Sequence, residues 1–209
     1  MYNRSFLNKH LVLLGLLLSM LFIAIAMLVY PGGSIIDKQA SGYSFSQNYI
    51  SNLLEYTALN GRDNTARPFG VIGVVLMGVF TGLAFVRFAN KVDIKKYSLP
   101  IMYFGFCLML FSSLISIPAQ HDLMITISSV FTLLVVFYSS ILLLKTKLMP
   151  LKILSISMLL FLYAMVYMYF TQTGLVYLPI LQKWMHILQF IWLLNLEYAT
   201  KQSDFEQVK

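Results

Sequence analysis

Six stretches of about twenty residues, nearly free of charge, divide this chain; they run over 11–30, 69–88, 98–118, 123–144, 151–170 and 178–198. A helix rises 1.5 Å per residue, so about 20 apolar residues cross the hydrocarbon core of a bilayer. No water reaches the peptide groups there, and only helices or closed barrels satisfy them all. The runs are about twice the length of a barrel strand. The pattern therefore predicts an all-α fold: one membrane domain, a bundle of six transmembrane helices over residues 1–209.

Composition agrees. The 209 residues are 59% hydrophobic and only 11% charged, against about 25% charged in a soluble domain. So little charge cannot solvate a globule. The single cysteine, Cys107, excludes an internal disulfide and any Cys-based zinc site, and it reads as a small buried hydrophobe. The formal net charge of +7 does not point to nucleic acid, because the basic residues sit in short clusters beside apolar runs, as topogenic charges do. The first run is too long for a signal-peptide core and has no small-residue cleavage site before Tyr30-Pro31-Gly32-Gly33, so it is expected to be retained as a helix. No repeat at a period of 20–50 residues is visible.

The basic residues also orient the bundle. Arg4, Lys9, Arg87, Lys91, Lys95, Lys96, Lys145, Lys147, Lys152, Lys201 and Lys209 fall on one side; Lys38, Arg62, Arg67 and Lys183 fall on the other. The excess belongs in the cytoplasm, which places both termini there. The 31–67 loop, the His121 corner and the connection before the sixth run then face outward. The tail, 199–209, is polar and expected to fray.

Residues 31–67 form the one long connection. Compact folds rarely keep such a loop without structure or use. Its Gly- and Ser-rich start reads as a turn or flexible strap. Ile50, Leu53 and Leu54 have helical spacing, with Ser46 as a candidate cap. Asn60-Gly61 marks a turn, and Pro68 suits the first turn of the next helix. The short helix is either a lid over the outer mouth or a filler of the membrane boundary.

Polar residues three, four or seven apart share a helix face. On the third run Ser113, Ser116 and Gln120 do so. On the fourth they are Asp122, Thr126 and Ser129, and on the sixth Gln182, His186 and Gln189. All three stripes start at the outer end and run two turns inward. Polar groups facing lipid are costly, so the stripes are expected to face one another and form an outward polar vestibule for a small molecule or a lipid headgroup. Ser116, Gln120, His121, Asp122, Thr126, Gln182, His186 and Gln189 are the candidate ligand-binding residues. The competing reading of the Ser and Thr members is interhelical packing glue. Asp122 has another ordinary role, as the N-cap of the fourth helix, where a carboxylate suits free N–H groups and the helix dipole. Gly78 and Gly82 allow close helix approach, either as a seam inside the bundle or as a homodimer face. Aromatic residues at the outer end of the fifth run, with Trp184, suit a membrane-interface belt.

No motif specifies a reaction. A metal-dependent membrane hydrolase using His121, Asp122 and His186 is the enzymatic alternative, with Glu55 in reach if the lid folds over. But there is no His-x-x-x-His pair and no thiolate, and catalytic zinc wants three protein ligands. No Gly-x-Ser-x-Gly elbow, phosphate-cradling Gly loop or mid-span carboxylate is present. No metal or other cofactor is assigned.

The Tyr30-Pro31-Gly32-Gly33 exit, Ile50-Ser51-Asn52-Leu53, Asn60-Gly61, Asn64-Thr65-Ala66-Arg67 and His121-Asp122 together give the chain a resemblance to an uncharacterised bacterial group of six-span membrane proteins, domain-of-unknown-function family 998. The resemblance covers nearly the whole chain. It implies a six-helix bundle in a bacterial cytoplasmic membrane and brings no activity or functional residues. A looser likeness, to alkaline ceramidase-type membrane hydrolases, lacks their paired histidines and has six runs where those have seven.

The orientation is testable. Cysteine placed at position 38 or 62 should react in intact cells with an impermeant thiol reagent; protection of both would invert the topology.

Overall fold

The computed structural model describes residues 6–208. It contains six long helices: α1 (Phe6–Val29), α2 (Arg67–Ala89), α3 (Lys95–Leu114), α4 (His121–Leu144), α5 (Met149–Thr171) and α6 (Leu178–Tyr198). Among the described residues there is no strand, only the isolated bridges Gly32–Ser41 and Thr57–Asp63. By length and composition α1 to α5 suffice to cross a membrane. The 21-residue α6 is less apolar because it carries Gln182, Lys183, His186 and Gln189. The fold is thus a bundle of five to six apolar helices, as a membrane protein requires.

Neighbours in sequence pack side by side from α1 to α6, and α6 closes on α2 and α1. The tightest seam joins α2 and α3. A Cβ added at Gly82 would lie 2.6 Å from the Gly105 carbonyl oxygen and 3.0 Å from Met109 Cα. Gly78 is pressed against Ser112 in the same seam. Both glycines pack against α3 within the chain; close backbone approach lets α2 and α3 gain dispersion contacts that lipid cannot match. Trp192, fully buried, anchors the centre. Its ring meets Phe85 at 5.7 Å, and its Nε1–H donates to Ser155 Oγ at 3.0 Å, the partner a buried indole needs.

One end of the bundle is held by charge. Arg87 Nη2 pairs with Glu197 Oε1 at 2.7 Å, both side chains largely buried. Lys91 Nζ donates to the carbonyls of Leu196, Glu197 and Thr200. A cation on the last carbonyls of a helix satisfies groups without an intrahelical partner and complements the dipole. Arg87 also donates to Asn8 O, and Tyr198 to Lys9 O, so the start of α1 and the ends of α2 and α6 meet here. The tail does not fray over its described part. Phe205 and Val208 are buried, Phe205 packs edge-on against Phe88, and Gln202 Nε2 donates to Asp93 Oδ2 at 2.6 Å. Two apolar side chains in a polar tail suffice to dock it under α2.

The long loop closes the other end as an ordered cap, not a flexible strap. Gly32 and Gly33 take φ of +131° and +82°, where a side chain would be strained, and an added Cβ at Gly33 would come within 2.5 Å of the Leu59 backbone. Asn side chains supply the missing backbone partners: Asn48 Nδ2 donates to Gly33 O, Asn60 Nδ2 to Pro31 O, and Asn64 Nδ2 to both Asn52 O and Glu55 O. A small core of its own, with Ile50, Leu53, Ala58 and Ala66 against Ile23, Ala26 and Tyr30, seats the cap on α1 and α2. The expected short helix is a 3₁₀ turn over Ile50–Leu53. Ser46 does not cap it; Asn52 Oδ1 reaches back to accept from Tyr49 N at 2.7 Å.

Gly82→Val should overpack the α2–α3 seam and lower stability by about 2 kcal/mol, read as a fall in the thermal midpoint in detergent. An unchanged midpoint would mean the helices separate freely there.

Candidate functional site

Beneath the cap, between α2, α3, α4, α5 and α6, lies a cavity of about 490 Å³. Its walls are mostly apolar. Two of the three expected polar stripes line it. Asp122, Thr126 and Ser129 enter from α4, and Gln182, His186 and Gln189 from α6, with His121 at the corner. These residues arrive together because a helix repeats its face every three or four positions.

The third stripe does not form. Ser113, Ser116 and Gln120 do not line the cavity. α3 ends at Leu114, and residues 115–120 form a connection closed by a 3₁₀ turn over Pro118–Gln120. Pro118 restricts the residue before it to extended backbone and offers no N–H, so the helix stops before Ser116. Ser113 Oγ donates to Met109 O at 2.7 Å and Ser116 Oγ to Ser113 O at 2.9 Å; such serines satisfy themselves on local carbonyls. Ser112, one position earlier, takes the place of the stripe. Thr81 of α2 and Tyr49 of the cap join it. Thr81 Oγ1 lies 3.4 Å from Gln189 Nε2. Nothing in the periodicity of an isolated threonine among glycines marked it beforehand.

The His121–Asp122 pair sits at the mouth. Gln120 occupies the N-cap position of α4 without a side-chain bond, and Asp122 stands in the first turn. Asp122 is therefore not a cap, although its charge still suits the helix N-terminus. Its side chain is 90% exposed, while the His121 ring is 15% exposed. His121 Nδ1 stands 3.0 Å from Asp122 Oδ1. His121 Nε2 is buried with no partner, as are His186 Nδ1 and Ser128 Oγ. All three residues line the cavity.

Among the described residues no three His, Cys, Asp or Glu come close enough to hold a metal ion. His121, Asp122 and His186 share a cavity but not a coordination sphere, and Glu55 is not on its walls. The hydrolase alternative loses its ligand set.

The roof is fastened to α6 and to the turn that precedes it, Leu175–Tyr177. Gln182 Oε1 accepts from Ile50 N at 2.9 Å, and Tyr49 Oη donates to Leu175 O at 3.4 Å. Lys183 is 3% exposed; its ammonium donates to Asn48 O and, at 2.9 Å, to Pro179 O. It lies 5.2 Å from the ring centres of both Tyr43 and Phe45, where the ring faces attract a cation. Tyr43 Oη donates to the same Asn48 carbonyl at 3.1 Å; burial pushes that phenol well above the usual range, so it stays a donor. Lys183 was expected as one of the outer topogenic charges, and hydropathy gave no sign of this clamp.

No family model, curated protein or solved structure matches the chain.

Lys183→Met should loosen the roof by about 2 kcal/mol, the range for hydrogen bonds made by a charged group. Hydrogen exchange over residues 43–50 should then quicken while α2 and α3 keep their protection; unchanged exchange in the cap would remove Lys183 as its clamp.

Proposed function

We propose that this chain is a non-enzymatic membrane protein that holds one amphiphilic small molecule or lipid in the capped cavity. The observation that carries the reading is the pairing of mostly apolar walls with unpartnered polar atoms on His121, Ser128 and His186. An apolar wall with a few convergent polar groups is the usual character of a ligand pocket. Buried polar groups without partners are expensive, and a ligand's polar part would satisfy them. A volume of about 490 Å³ falls in the range of small-molecule sites.

A smaller crevice of about 200 Å³ between α1, α2 and α6 supports the choice of an amphiphile. It reaches Thr81, His186 and Gln189, which also line the main cavity. A molecule with a hydrocarbon tail has a route from the bilayer to those groups along this side. In this reading all six helices span the membrane and both termini lie in the cytoplasm of a bacterial cell. The gathering of Lys9, Arg87 and Lys91 at the end opposite the cap agrees with that orientation.

Native mass spectrometry of protein purified in mild detergent should find an amphiphile bound near one per chain. Ser129→Trp, which fills the cavity, should reduce its occupancy at least about tenfold with helix content unchanged. Equal occupancy in the variant would place the molecule elsewhere, and protein free of any bound amphiphile would overturn the proposal.

A further inference from the structure

Resting on that reading, we infer that the head of the bound amphiphile is uncharged and carries hydroxyl groups, as in a diglyceride or a sugar-headed lipid. The first ground is the charge on the walls. Among the described residues lining the main cavity there is no Lys or Arg, and Asp122 is the one formal charge. Asp122 is exposed at the mouth and already engaged by His121. Lys183 borders only the smaller crevice, and its ammonium is turned to Asn48 O and Pro179 O. A phosphate or carboxylate entering this cavity would lose its water and meet no lysine or arginine to replace it. A cationic head would meet only a solvated carboxylate at the rim.

The second ground is hydrogen-bond polarity. With Nδ1 turned toward Asp122 at 3.0 Å, the His121 ring offers Nε2 to the cavity. Nε2 is buried and unpartnered, so the ligand must bring a hydrogen-bonding group there. A hydroxyl can donate or accept, whereas a phosphodiester can only accept and a quaternary ammonium can do neither. Ser128 Oγ and His186 Nδ1 also lack a hydrogen bond of good geometry, with Gln189 beside the His186 ring, and a hydroxyl can serve either as donor or acceptor. A head with two or more hydroxyls matches all three positions without moving a charge into the membrane.

The experiment is a competition in nanodiscs against a fluorescent diglyceride, using dioctanoylglycerol, dioctanoyl phosphatidate, a dioctanoyl trimethylammonium lipid and free glycerol. Matched tails cancel differences in partitioning. Dioctanoylglycerol should compete at least about tenfold more strongly than either charged analogue, the weight of one hydrogen bond left unmade. Free glycerol should not compete at millimolar concentration. His186→Leu should weaken diglyceride binding about fivefold or more while leaving the charged analogues as weak as before. Should His186→Leu fail to fold, His121→Phe at the mouth carries the same expectation. Phosphatidate or the cationic lipid competing as well as the diglyceride would overturn the inference and leave the amphiphile site intact. Competition by free glycerol would support the neutral hydroxylated head and overturn the need for a tail. Saturable binding of none of the probes would overturn both.

Discussion

The structure turns on one buried cation. Lys183 has no carboxylate among its observed contacts; two backbone carbonyls and two aromatic faces hold its ammonium instead. A desolvated charge is tolerated only where such groups replace its water. That requirement ties Asn48 to α6, and Asn48 in turn ties Ser44 to Gly33 through its side-chain amide. The loop is thereby fixed as a roof, and the space between α2, α4 and α6 becomes a cavity rather than an open groove. Without Lys183 the loop keeps its small apolar core and the Gln182 and Tyr49 bonds, but the ammonium that draws Asn48, Tyr43 and Phe45 onto α6 is gone.

The same helix shows what the site costs. α6 falls short of a membrane-spanning hydropathy because of Gln182, Lys183, His186 and Gln189. Gln182 and Lys183 are spent on the roof, while His186 and Gln189 face the interior. None of them is required for the helix itself, whose C-terminus is secured by Lys91 and Arg87. Gln189 also reaches Thr81, and an ionisable group such as His186 in an apolar helix is expensive to keep and marks a candidate functional site.

Much of the architecture was legible in the sequence because hydrocarbon imposes a simple rule: long apolar runs become helices, and their polar faces turn inward. The α4 and α6 stripes followed from periodicity alone. The α3 stripe failed because spacing assumes that the helix continues, and Pro118 ends it before Ser116. Asp122 was read as a cap from residue type, but the cap position fell to Gln120, two residues earlier. The interior of the loop was beyond periodicity, since its order comes from Asn side chains bonded to carbonyls nine to twenty-nine positions away. The docked tail rests on Phe205 and Val208, too few to outweigh their polar neighbours in any hydropathy window. Lys183 was the largest omission. A lysine at a helix end reads as solvated, and only the cap's carbonyl and ring positions make it an internal clamp.

The central claim is that the capped cavity, and not the outer surface of the bundle, receives the amphiphile. Photolabelling with a diglyceride that bears a diazirine in its tail, followed by peptide mapping, tests this most directly. Adducts should concentrate on residues 122–132 of α4 and 182–189 of α6 and fall sharply in Ser129→Trp. Adducts confined to exposed outer positions such as Leu21, Leu28 and Tyr163, unaffected by that substitution, would contradict the account.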